Sequence, residues 1–140
     1  MSPETETRLR ASFATQTMMT TLGARLDHVG EGVAQISAPI LPGARQQHGF
    51  GHAGLTFALG DSAAGYAALG VMPEDCEVLT SEMKIHLLAP ARGDRLVARG
   101  RVIKAGRRLV IVQADVHAVS EGHETHVALL TGTMIPVPAG

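Results

Sequence analysis

The sequence predicts an α+β fold in which an antiparallel sheet of five or six strands wraps around one long central helix. Three observations carry this expectation. Residues 53–69, AGLTFALGDSAAGYAAL, are apolar on every side of a helix, the pattern of a helix buried in a core. After that helix the apolar period changes from helical to two. The period-two segments are divided by short turns, ARGD (91–94), AGRR (105–108) and SEGH (120–123), which imply an antiparallel meander.

The elements follow in order. Residues 7–22 read as an N-terminal helix, with Met18 and Met19 as core packing. Residues 24–29 and 31–40 read as extended, separated at Gly30, with Ala34, Ile36, Ala38 and Ile40 on one face and Pro39 and Pro42 closing the second strand. LPGARQQHGFG (41–51) is a loop leading into the helix. Four strands come after it, over 76–90, 94–104, 108–119 and 123–137. In the first, Met83, Ile85 and Leu87 face opposite to Glu82, Lys84 and His86. In the second, Leu96, Ala98, Gly100 and Val102 face opposite to Arg99 and Arg101. In the third, Val110, Val112, Ala114, Val116 and Ala118 share a face.

The 140 residues fit one domain, 1–140, and the net charge of −1 offers no basic face for nucleic acid. One Tyr, three Phe and no Trp leave few platforms on which bases could stack. A single cysteine, Cys76, excludes an internal disulfide and a multi-cysteine metal site, so a cytoplasmic setting is expected. MSPETETRLR has no apolar core of a signal peptide. Residues 55–72 approach the length of a membrane span, but a central Asp61 costs roughly 2.5–3.5 kcal/mol there, and Ala and Gly offset little of it. The small residues Gly54, Ala58, Gly60, Ala64, Gly65 and Ala68 suggest that a second copy approaches this helix, giving a homodimer.

Asp61 is the residue that needs explaining. Its helix neighbours Phe57, Ala58, Ala64 and Gly65 are all apolar, whereas a solvent-facing side would carry Lys, Glu or Gln. Asp is also a poor mid-helix residue. A half-buried carboxylate of raised pKa is a candidate catalytic group. Free amides at the helix start, near Ala53 and Gly54, could polarise a carbonyl. Asp61 lies two helical turns beyond them, so a partner's helix start is expected to complete the site.

QQHGFGHAGLTFALGDSAAGYAALG, followed by TSEMKIHLLAPARGDRLVARGRVIKAGRRLVIVQADV, resembles the hotdog-fold acyl-CoA thioesterases of the PaaI-like family. The likeness spans residues 30–137 and rests on a His-Gly-Gly motif, an Asp-Ser/Thr-Ala block in the helix, and a Thr/Ser-x-Met-x-Ile strand. It implies a hydrolase that cleaves an acyl- or aryl-acyl-CoA to free acid and CoA without a cofactor or metal. It implies a homodimer, paired into a homotetramer.

Residue by residue, the resemblance puts His52-Ala53-Gly54 at the His-Gly-Gly position, with the Ala53 amide on the thioester carbonyl. Asp61 falls on the general base or nucleophile. Gln46 or Gln47 stands where the family often has Asn, and Thr80 falls on a hydroxyl that holds the attacking water. Ser81, Pro90, Arg92, Lys104, Gly106, Arg107 and Arg108 fall in the segments that meet substrate, with Lys104 and Arg107 best placed for CoA phosphates. Ala53 and the Gln pair depart from the family pattern. His48 forms a second His-Gly pair, and His52 is preferred for its spacing to Asp61. His52 is read as a loop-shaping residue ahead of a general base. Two alternatives stay open: a non-catalytic acyl-CoA binding module, and a hydratase or dehydratase pairing His52 with Asp61.

Overall fold

The computed structural model describes all residues, Met1–Gly140. Two helices, α1 (Pro3–Ala14) and α2 (Thr17–Thr21), precede strands β1 (Arg25–Gly30) and β2 (Val33–Pro39). A 3-10 turn (Pro42–Ala44) leads to the central helix α3 (Ala53–Leu69). Strands β3 (Cys76–Leu87), β4 (Arg95–Ala105), β5 (Val110–Ser120) and β6 (His123–Pro138) complete the chain.

The N-terminal segment differs from the single expected helix. It starts earlier because Ser2 accepts a hydrogen bond from the Thr5 amide, Pro3 sits in the first turn, and Glu4 and Glu6 complement the helix dipole. It breaks at Thr15–Gln16, where the Thr15 hydroxyl donates to the Ser12 carbonyl and Gln16 turns extended. Met19 is buried, but Met18 is 56% exposed and does not pack in the core.

All six strands form one antiparallel sheet in the order β1-β2-β4-β5-β6-β3. The expected meander holds for β4, β5 and β6 alone. Strand β3 pairs with β6 at the far edge, and β2 takes the place beside β4. The apolar period assigns a face to each strand and says nothing of its neighbour. The link over 88–94 crosses three strand spacings, about 14 Å, which seven residues span with ease.

Helix α3 lies on the inner face of the sheet. Leu59, Ala63, Ala64, Ala67 and Ala68 are fully buried against Ile36, Leu96, Ala98, Val112, Ala114, Val116 and Leu130. Gly60, Ala64 and Ala68 serve this contact within the chain. At Gly100 an added Cβ would lie 2.4 Å from the backbone of Ala63, and at Gly60 it would lie 2.8 Å from Leu130. Gly60, Ala64 and Ala68 of the small-residue stripe are thus covered by the chain's own sheet, whereas Gly54 is exposed and Ala58 half-buried. Edge strand β3 is mostly exposed, with Leu79 and Leu87 at 54% and 58%. Of Met83, Ile85 and Leu87 on their shared face, the first two are half-buried and Leu87 is exposed. No helix is long and apolar enough to cross a membrane.

Candidate active site

Asp61 stands in the middle of α3, half-buried, where the helix faces β3. The Thr80 hydroxyl donates to Asp61 Oδ1 at 2.7 Å. Met134 Sδ lies 3.3 Å from the same hydroxyl, but an ionised carboxylate is the stronger acceptor. Thr80 reaches Asp61 at a β-bulge, since the β3–β6 register shifts between Thr80 and Glu82, leaving Ser81 unpaired and exposed. Burial raises the Asp61 pKa above the ordinary carboxylate range, and the Thr80 bond opposes that rise.

A cavity of about 230 Å³ opens beside this pair. Ser62, Gly65, Tyr66 and Leu69 of α3 line it, with Ser12 and Gln16 from the N-terminal segment. The Gln16 amide donates to the Tyr66 hydroxyl at 2.9 Å, and Ser12 Oγ hydrogen-bonds the same hydroxyl at 3.1 Å. None of these six was expected at the site from the sequence, Gly65 having been read only as a small residue of the helix. The available signals were the helical spacing of Ser62, Gly65, Tyr66 and Leu69, and the four-residue spacing of Ser12 and Gln16.

The loop before α3 builds a second, separate hollow of about 590 Å³, lined by Gln46, Phe50, His52, Ala53, Pro90 and others. The Gln46 side-chain Oε1 accepts from the backbone amides of His48 and Phe50, which folds the loop. Gln47 is exposed and makes no hydrogen bond. His52 caps the helix, its Nδ1 accepting the Gly54 N–H at 2.7 Å. Leu55 and Thr56 donate to the His52 carbonyl. Of the four first-turn amides, only that of Ala53 has no partner within the chain.

Ala53 and Asp61 are eight residues apart on one helix, which separates them by about 12 Å along its axis. One chain therefore does not bring its own free amide and its own carboxylate to one carbonyl carbon. The remaining expected contacts are spread. Arg92 stacks over the Phe50 ring at 4.5 Å, beside the second hollow. Lys104 ends β4, paired with Ile111, and Gly106, Arg107 and Arg108 form the exposed turn to β5; Lys104, Arg107 and Arg108 make no ion pair. Arg99 and Arg101 are held on the outer sheet face by Glu124 and Gln113.

The sequence profile of the thioesterase superfamily matches residues 48–124. A thioesterase family protein from Silicibacter pomeroyi is 40% identical, with a TM-score of 0.94 over 96% of this chain and 99% of that one. The E. coli PaaI protein from the phenylacetic acid degradation operon superposes with a TM-score of 0.85 at 22% identity, over 96% of this chain and 94% of that one. A thioesterase from Haemophilus influenzae does so at 0.80 and 20% identity, over 91% and 87% of the two chains. None of the curated proteins compared matches the chain. The six-stranded sheet with α3 against it is the hotdog fold.

Proposed function

Because this chain belongs to the thioesterase superfamily, we propose that it hydrolyses the thioester of an acyl- or aryl-acyl-CoA to free acid and CoA, with Asp61 as general base or nucleophile. The observation that carries this reading is the Asp61–Thr80 pair at the mouth of a cavity, a carboxylate of raised pKa held by one hydroxyl. A base whose pKa lies nearer the working pH transfers protons more effectively.

The unpartnered Ala53 amide at the start of α3 polarises the thioester oxygen and stabilises the charge that develops on it. The 12 Å offset between that amide and Asp61, about eight residues of helix, supports a homodimer in which each site takes Ala53 from one subunit and Asp61 from the other. The unpaired backbone edge of β3 is the surface through which such a dimer forms, and two dimers pair into a tetramer. Thr80 orients the carboxylate and the attacking water. Gln46 or Gln47 and His52 shape the loop that receives the pantetheine arm, beside Gly54, Ser81, Pro90 and Arg92. Lys104, Arg107 and Arg108, next to Gly106, meet the phosphates. The reaction needs no metal or cofactor, and the enzyme acts in the cytoplasm. The capping role of the His52 Nδ1 supports hydrolysis over a dehydratase that uses a His–Asp pair.

The test is free-thiol release from butanoyl-, octanoyl-, hexadecanoyl- and phenylacetyl-CoA by the wild type and Asp61→Asn. Turnover by the wild type that falls about 10²–10⁴-fold in the variant is expected. Acyl-CoA binding without thiol release would instead establish a binding module. Release that survives the substitution would remove Asp61 from the mechanism.

A further inference from the structure

Gly65 sits inside a buried helix where glycine is a poor helix former. The other close-packed glycines of the core have a steric reason to be glycine. An added Cβ at Gly60 or Gly100 would lie 2.8 or 2.4 Å from its neighbours. At Gly65 it would meet nothing nearer than Met134 Cε at 4.0 Å, an ordinary contact. Packing within the chain therefore does not demand glycine there. Gly65 lines the cavity beside Asp61, so what its missing side chain keeps open is that cavity.

Past Gly65 along the helix, at the end away from Asp61, the same cavity is lined by Tyr66 and Leu69. Tyr66 is 4% exposed, and its hydroxyl is held by Gln16 and Ser12. Phe13 meets the Tyr66 ring edge-on at 5.7 Å, which seats the N-terminal segment over this end. Tyr66 follows Asp61 by five residues, about 7.5 Å of helix rise. The wall and the stop therefore lie on the same helix as the carboxylate, within the length of a short acyl group.

We propose that Gly65 forms the open wall, and Tyr66 held by Ser12 and Gln16 the end stop, of an acyl pocket that limits this enzyme to short acyl groups. This rests on the thioesterase reading of Asp61. A long aliphatic chain would have to displace the N-terminal segment and lie against the polar groups of Gln16 and Ser12. A short acyl group runs from the thioester carbonyl at Asp61 past Gly65 and ends at the Tyr66 ring.

The experiment measures kcat/KM by thiol release on butanoyl-, hexanoyl-, octanoyl- and dodecanoyl-CoA, for the wild type, Gly65→Ala and Gly65→Val, with the melting temperature of each. The wild type should favour the shorter members and fail on dodecanoyl-CoA. Gly65→Ala, which favours the helix, should melt no lower than the wild type. The hexanoyl-to-butanoyl ratio of kcat/KM should fall about tenfold in the variants, more for Val than for Ala. An unchanged ratio with lowered activity on every substrate would make Gly65 merely structural and overturn the pocket assignment. So would a wild type that prefers dodecanoyl-CoA. A wild type that releases thiol from no acyl-CoA would instead overturn the thioesterase reading, and the acyl pocket with it.

Discussion

The Thr80 hydroxyl donates to Asp61 Oδ1 at 2.7 Å, tying the edge strand β3 to the middle of the central helix. Thr80 is brought there by the bulge at Ser81, and Asp61 by its place two turns into α3. The bond favours the ionised carboxylate, while burial favours the neutral acid. Removing it should raise the Asp61 pKa further. For a base that acts ionised, the acid limb of kcat/KM against pH then moves to higher pH in Thr80→Val. A hydrogen bond to a charged group contributes about 1.5–3 kcal/mol, so the shift should be about one pH unit or more. Thr80→Ser should keep the wild-type limb. An unmoved limb in Thr80→Val would separate this hydroxyl from the working carboxylate.

Ala53→Pro removes the one free amide of the first turn. Proline is well suited to this position, since it starts the helix and His52 before it is already extended, at φ −64° and ψ 144°. The variant should fold with an unchanged circular dichroism spectrum and lose about 10²–10³ in kcat. Mixing it with Asp61→Asn after joint unfolding and refolding tests a shared site. In a two-fold dimer half the molecules would be mixed, each with one intact site, so about a quarter of wild-type activity should return. No recovery would mean that each chain uses its own amide and carboxylate.

Asp61 should also weaken the fold at neutral pH. Its pKa is raised in the folded state, so the folded protein binds this proton more tightly than the unfolded chain. The resulting stability is fully present below the unfolded value, about 3.9, and is lost as pH rises through the folded value. Asp61→Asn should therefore melt above the wild type at neutral pH, and the two curves should converge as pH falls toward about 4. Calorimetry across that range checks it. A variant that melts lower at every pH would show that the carboxylate holds the fold together.

Gly100→Ala should destabilise, because its Cβ would lie 2.4 Å from the Ala63 carbonyl carbon and helix backbone cannot yield as a side chain can. Overpacking of this kind costs about 1–3 kcal/mol, read as a lowered urea midpoint. A wild-type midpoint would mean that the helix and the sheet do not meet at that closest approach.

Much of the architecture was legible because it follows from local pattern. The all-round apolar run over 53–69 needed a buried helix, and α3 spans Ala53–Leu69. Period-two alternation placed Val110, Val112, Ala114, Val116 and Ala118 on one face, and all five are buried. The hydrogen bond from the Gln16 side-chain amide to Tyr66 was not legible, since its partner lies fifty residues away. The same holds for Ser12, Glu77 and Val78 around the cavity, which come from α1 and β3, two segments far apart in the chain.

By itself, the sequence determined which residues form the central helix and the strands, which face of each is apolar, and that Asp61 is an acid on an otherwise apolar face of its helix. Those properties depend on spacing along the chain, and spacing is local. Only the tertiary structure decided that β3 pairs with β6, that Thr80 meets Asp61, and that Tyr66 lines one cavity with them. Strand pairing is chosen by how the whole sheet buries its apolar face against α3, and no window of sequence contains that choice.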